Sequence, residues 1–309
     1  MTRTRLVLAL ALAAPFAAQA GDKEAQEALN AAKAAWSTGK PEEVLGLFDK
    51  AEAAKPEAKV LRYDIQLSKG LYLQAKTSDL EAALKIYDGI IKDLVGLKDD
   101  ESVLKQIKSQ AMANKASLIY SHKQDEEGAF ALYKSAAMLY PSSRISESAS
   151  QFFFRLGRDA SRRDEAKRKE ILELGLKCAE EAIKFCENDV PADKRPPALA
   201  KLQLQVAIMQ HANGKAEEAK KTFAGIDQAA LQPFSLYQQA VWFVLQGSID
   251  DATRCLKEFM QKTRPEGPAG IKSRNQLRKF IAGEPDFKQH LARPDWKTLA
   301  SDESELGGK

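Results

Sequence analysis

Three histidines, His122, His211 and His290, and three cysteines, Cys178, Cys186 and Cys255, are the side chains of this 309-residue chain most able to hold a metal or attack a substrate. None of the histidines stands at a metal-binding spacing from a cysteine or an aspartate. The sequence contains neither a glycine-rich phosphate loop nor a Gly-x-Ser-x-Gly turn. Carboxylates do occur in pairs, Glu42 with Glu43 and Glu217 with Glu218. Both pairs open what read as the second helices of helical hairpins, where negative charge favours the helix dipole. A catalytic acid and base need opposed environments, and adjacent residues on a solvated face do not provide them. The expectation is a non-catalytic chain that carries no cofactor and no metal.

One concentration of charge remains: Arg155, Arg158, Arg162, Arg163, Lys167, Arg168 and Lys169. Asp159, Asp164 and Glu165 interleave with it, so one reading is an exposed helix end followed by a solvated loop. The other is a basic patch, centred on Arg155, Arg158 and Arg162, for an acidic protein segment or an anionic envelope polymer. The adjoining Phe152, Phe153 and Phe154 are expected in the core, because three consecutive aromatics divide between faces of a helix. Over the whole chain, 47 basic against 43 acidic residues give no electrostatic case for nucleic acid or an anionic membrane.

The cysteines are too few for a disulfide-built scaffold. Cys178 and Cys186 fall on one predicted helix, about 12 Å apart at 1.5 Å per residue, whereas a disulfide needs Cα atoms within about 7 Å. Only a pair with Cys255 is feasible; the other reading is three buried thiols acting as small apolar residues.

The elements that carry these residues begin after a leader. Arg3 and Arg5 precede an apolar run over residues 6–14, and Ala18-Gln19-Ala20 precedes the polar Gly21-Asp22-Lys23. That order reads as a secretory signal peptide cleaved after Ala20. The run is shorter than the about 20 apolar residues that cross a bilayer, and no later stretch is long enough, so no transmembrane segment is expected. The chain should be periplasmic or secreted. Beyond the leader, alanine, leucine, lysine and glutamate dominate and aromatics are 7%, a helix-forming composition.

A pattern of small and large residues then recurs. Ala28, Ala31, Ala32 and Trp36 are followed by Gly39, Val44, Phe48, Ala51 and Pro56. Ala113, Ala116, Ser117, Tyr120, Ala129, Tyr133, Ala136 and Pro141 repeat it. So do Val206, Ala207, Gly214, Ala219, Phe223 and Ile226, and again Leu236, Ala240, Phe243, Gly247, Ala252, Leu256 and Phe259. Two weaker copies surround Ala83, Tyr87 and Ile90, with an irregular turn at residues 75–79, and span residues 153–186. Small residues on paired helices let two backbones approach, and the larger ones fill the space between one pair and the next. Gly39, Gly214 and Gly247 follow first helices, where a left-handed residue ends a helix at little cost.

These offsets resemble the tetratricopeptide repeat, a hairpin of two helices about 34 residues long. The resemblance implies an all-α, right-handed α-solenoid of about six helix-turn-helix repeats with a C-terminal helical cap. The expected organisation is a signal peptide at 1–20, an N-terminal array at 21–190 with an irregular fourth repeat, a C-terminal repeat pair at 191–266, a capping tail at 267–300 and a disordered end at 301–309. Pro191, Pro196 and Pro197 mark the break between arrays. In the tail, Pro285-Asp286-Phe287 and Pro294-Asp295-Trp296 repeat a proline-acid-aromatic triplet. Phe280, Phe287, Leu291 and Trp296 are its expected capping side chains.

The resemblance further implies a non-catalytic scaffold for protein binding in the cell envelope, gripping a partner peptide or helix in a groove lined by first helices. That groove would comprise Lys201, Leu204, Ile208 and His211, then Phe234, Tyr237, Val241 and Val244, with Asn114, Leu118 and the basic patch in mid-array. The family's carboxylate-gripping set of lysines, asparagines and arginine is supplied by no three consecutive repeats here. Such a groove suits a helix with one apolar face and acidic residues at one end. The large apolar members, Phe234, Val241 and Val244, equally suit packing against the preceding repeat. The alternative function is a small-ligand-binding accessory subunit of an envelope or transport system.

Overall fold

A computed structural model describes residues 20–158, 163–232, 235–262, 275, 278, 279 and 281–301, and among them every regular element is a helix. The chain divides into two compact units within one helix, between Ala149 and Ser150. The proline-rich turn at 191–197 lies inside the second unit.

In the first unit, α1 (Ala20–Ala35) packs on α2 (Pro41–Ala53), α3 (Lys59–Tyr72) on α4 (Leu80–Asp93), and α5 (Ser102–Leu118) on α6 (Glu126–Leu139). Connections this short leave antiparallel packing as the available arrangement. Successive pairs join through α2 with α3, α4 with α5, and α3 with α5. The start of α7 (Ser143–Arg158) completes the unit.

The repeated small and large residues do the packing. Ala28, Ala32, Val44, Phe48 and Ala51 are buried in one cluster with Tyr72. Trp36 stands edge-on to both Tyr72, at 5.1 Å, and Phe48, at 6.4 Å. Fully burying a side chain such as Phe48 contributes about 1.5–3 kcal/mol. Gly70 lets α3 approach α4, because a Cβ there would meet the Tyr87 ring at 2.8 Å.

The irregular turn expected at 75–79 has a definite form. After α3 the backbone widens into a π-turn over Leu73–Thr77, Ser78 takes a left-handed conformation at φ 60°, and the Asp79 carboxylate accepts from Ala82 N at 3.1 Å. The same device follows α5. A π-turn over Ile119–Lys123 leads to Gln124 at φ 55°, and Asp125 accepts from Gly128 N at 2.8 Å. The two copies are separated by about 46 residues, longer than the about 34 of a standard tetratricopeptide unit.

The second unit holds the rest of α7, α8 (Glu165–Asp189), α9 (Arg195–Ala212), α10 (Ala216–Ala224), α11 (Ser235–Leu245), α12 (Ile249–Lys262) and, after a 3₁₀ turn at Pro285–His290, α13 (Pro294–Ala300). Here α8 packs on α9, α9 on α10 and α11, and α11 on α12. Ala207, Ala219, Ala240 and Ala252 are fully buried at these contacts. Phe223 stacks on Trp242 at 4.8 Å. Pro196 and Pro197 stand in the first turn of α9, where a missing N–H costs nothing.

Gly214 and Gly247 end α9 and α11 at φ 76° and 75°, as expected. Gly39 differs, for its φ is not positive. It is small because a Cβ would meet Val44 Cγ2 at 2.8 Å and Ala35 O at 3.0 Å. All three cysteines are buried free thiols, and burial pushes Cys178 up to about 12 and Cys255 to about 11. Phe152, Phe153 and Phe154 are all buried. No helix among the described residues is long and apolar enough to cross a membrane.

Candidate functional site

The end of α7, the first turn of α11 and a segment around residues 284–286 converge in the second unit on one cluster about the Arg158 guanidinium. Arg158 Nη1 lies 3.2 Å from Glu284 Oε1, and Nη2 contacts Asp286 Oδ1. The other Glu284 oxygen, Oε2, accepts a 2.9 Å hydrogen bond from the Tyr237 hydroxyl. Beneath the cluster, Arg158 Cζ stands 4.5 Å from the centre of the Phe154 ring. Asp286 Oδ2 is enclosed with no hydrogen-bond partner.

Local sequence explains each position. Phe154 and Arg158 are four residues apart on α7, so the aromatic face and the guanidinium share one side of the helix. Tyr237 is fixed by aromatic neighbours, Phe259 at 6.0 Å and Phe287 at 5.7 Å. Pro285 starts the short 3₁₀ turn, placing Glu284 just before it and Asp286 inside it. Phe287 and Trp296 are fully buried, and Trp296 Nε1 donates to Thr253 Oγ1 at 2.7 Å, tying α13 to α12.

Electrostatics follow from this enclosure. Burial lowers the Arg158 pKa from the usual arginine value, and Glu284 works against that. Burial, then Glu284, raises the Tyr237 pKa well above the ordinary phenol value. The cluster therefore keeps an arginine cation and a neutral tyrosine at neutral pH, both held on carboxylates from the chain's own tail. Charge-assisted bonds of this kind are strong when enclosed, so the arrangement clamps one segment onto another.

Two predicted site residues far apart in sequence, Arg158 and Tyr237, are thus brought onto one carboxylate. The others are not gathered with them. Leu204, Ile208 and Val241 are buried in the second unit's core rather than facing an open groove, as is Val244. Their helices carry apolar residues around most of their circumference, so neighbouring elements cover the face expected to be free. Lys201 is half-buried, and Arg155 is exposed. His211 Nδ1 accepts from Gln246 Nε2 at 2.9 Å, and burial, with Lys220, lowers its pKa. Phe234 and Arg162 lie outside the described residues, as do Phe280, the leader over residues 1–19 and the last eight positions.

Sequence reasoning placed Asp286 in a cap and left Glu284 unassigned. The proline-acid-aromatic triplet was the available signal, since an acid held beside a buried aromatic must find a cation or remain unpaired. No protein-family model matches the chain, and no curated protein matches its sequence.

Proposed function

We propose that this chain is an exported, non-catalytic scaffold that binds a partner peptide or helix along the first helices of a right-handed, tetratricopeptide-like solenoid. The observation that supports it is a ladder of polar side chains on successive first helices. Lys33 of α1 pairs with Asp64 of α3 at 2.9 Å. Ser68 donates to Asp64 at 3.3 Å, and Gln110 donates to Asn114 at 3.0 Å on α5. Asp64, Ser68 and Asn114 are buried, but Lys33 and Gln110, which they hold, are only half-buried and so stand ordered towards a partner at low further entropic cost. Removal of a leader at residues 1–20 delivers the chain to the periplasm or the exterior.

Crosslinking the leader-less chain in native envelope extract, followed by mass spectrometric mapping, tests the reading. Crosslinks concentrated on α1, α3 and α5 are expected. Links confined to the outer faces of α2, α4 and α6 would overturn it. Export is checked separately with residues 1–25 fused to a reporter active only after secretion.

A second reading, a small-ligand-binding accessory subunit, draws on a cleft of about 630 Å³ bordered by Asp250, Thr253, Arg254, Lys257, Glu258 and Asp295. Thermal shifts against a metabolite panel and a peptide panel separate the two.

A further inference from the structure

Arg195, Pro196, Leu199, Ala200 and Gln203 recur on α9 at the steps that share one face of a helix. That face borders a cleft of about 280 Å³, which Asp227, at the start of the 3₁₀ turn Gln228–Ala230, borders too. The cleft lies within the second unit, on a different helix from the cleft along α12. Its lining is apolar at Pro196, the half-buried Leu199 and the buried Ala200. Arg195 is held in place, because Nη2 donates to Glu187 O at 2.7 Å and to Val190 O at 3.3 Å, carbonyls at the end of α8. Nε is enclosed, and Nη1 has no hydrogen-bond partner among the described residues. Asp227 is exposed and is fixed in its turn, Oδ1 accepting from Ala229 N at 3.0 Å. Its Oδ2 and the half-buried Gln203 amide have no partner among the described residues.

A cation and a carboxylate thus border one cleft without pairing with each other, and apolar surface shares its lining. Charge decides what fits. An apolar molecule would strip water from both groups and return nothing. A simple acid would gain Arg195 but meet the like charge of Asp227, and a simple amine would meet the reverse. Only a ligand carrying both charges satisfies both walls. Size narrows the choice further, since the volume is just below the about 300–1,000 Å³ of ordinary ligand clefts. A partner helix, about 10 Å across, is too large.

We infer that this cleft binds a small zwitterion with an apolar side chain, its carboxylate on the Arg195 guanidinium, its ammonium on Asp227 and Gln203, and its side chain on Pro196 and Leu199. A free apolar amino acid and an apolar dipeptide share that chemistry. The site does not rest on the scaffold reading, whose partner is expected on α1, α3 and α5, and it fills with no protein partner present.

Calorimetric titration of the full chain with leucine, and separately with leucyl-leucine, tests the site. Saturable binding of at least one is expected. The N-acetylated and the C-amidated form of the binder should each bind about tenfold more weakly or worse, for the loss of one charge-assisted bond. Asp227→Asn, which keeps an acceptor for Ala229 N, should weaken the unmodified ligand by a similar factor. Arg195→Gln would also remove the bonds to the end of α8, so position is read without a variant: bound ligand should slow amide hydrogen exchange across 192–204 and 226–231. Binding of leucine alone assigns a free amino acid, and of leucyl-leucine alone a short peptide. Failure of both to saturate, undiminished affinity of the acetylated or amidated form or of Asp227→Asn, or exchange slowed only elsewhere overturns the site.

Discussion

The Tyr237 hydroxyl reaches 47 residues along the chain to donate a 2.9 Å hydrogen bond to Glu284, the same carboxylate that receives Arg158. Tyr237→Phe removes one donor from an enclosed carboxylate and should destabilise the second unit by about 1–2 kcal/mol. Arg158→Met leaves two carboxylates without their cation, and breaking a buried pair in this way costs about 3 kcal/mol or more. The exposed Arg155→Ala should stay within about 0.5 kcal/mol of the parent. Urea midpoints compare all three, and equal effects for Arg155 and Arg158 would deny the clamp.

The left-handed turns yield a stabilising prediction. Ser78 and Gln124 are exposed and hold φ near 60° and 55° without being glycine. A left-handed conformation costs an L-residue about 1–2 kcal/mol, and glycine gives part of this back through its looser unfolded state. Ser78→Gly and Gln124→Gly should each raise stability by about 0.5 kcal/mol. Thermal melts that fall instead would show that the side chains contribute more than the backbone strain.

Overpacking tests the small-residue contacts. Ala219 and Ala252 are fully buried, on α10 and α12. Ala219→Trp or Ala252→Trp should cost about 1–3 kcal/mol or more, seen as an earlier unfolding transition with helical circular dichroism retained at low temperature. Ile208→Asp should be at least as damaging, since the site is buried and an unpaired carboxylate would sit in the core. A variant at Ile208 with an unchanged melt would mean that this face of α9 is open.

His211 makes part of the stability pH-dependent. Its Nδ1 accepts from Gln246, so the neutral ring carries its proton on Nε2. Burial, then Lys220, lowers the folded pKa below the unfolded value of 6.5. The unfolded chain therefore binds more protons between those two values, and stability rises with pH across that window. This contribution is complete above about pH 6.5 and is lost as the pH falls toward the folded pKa. Urea midpoints at neutral pH and in mild acid should differ less in His211→Gln than in the parent. An unaltered difference would place the proton uptake elsewhere.

Much of the architecture was legible in the sequence because helix pairing is local. Ala32, Ala51, Ala83, Ala129, Ala219 and Ala252, read as close-contact positions, are buried in hairpins whose partners lie within a few tens of residues. Gly214 and Gly247 likewise announce their turns, since only the adjoining helix end determines their backbone. The π-turn at 73–77 showed only as an irregular turn and that at 119–123 not at all, because nothing in their composition distinguishes a widened turn from an ordinary one. The free face of a helix was decided by tertiary structure alone. In α9, Leu202 and Leu204 through Met209 are buried almost without interruption, so no periodicity marks an outer side. Whether Tyr237 faces a groove or a tail depends on where residues 284–296 dock, and that position is set by Phe287 packing on Tyr237 and Trp296 reaching Thr253 in α12, a long-range fit with no repeat in the sequence to signal it.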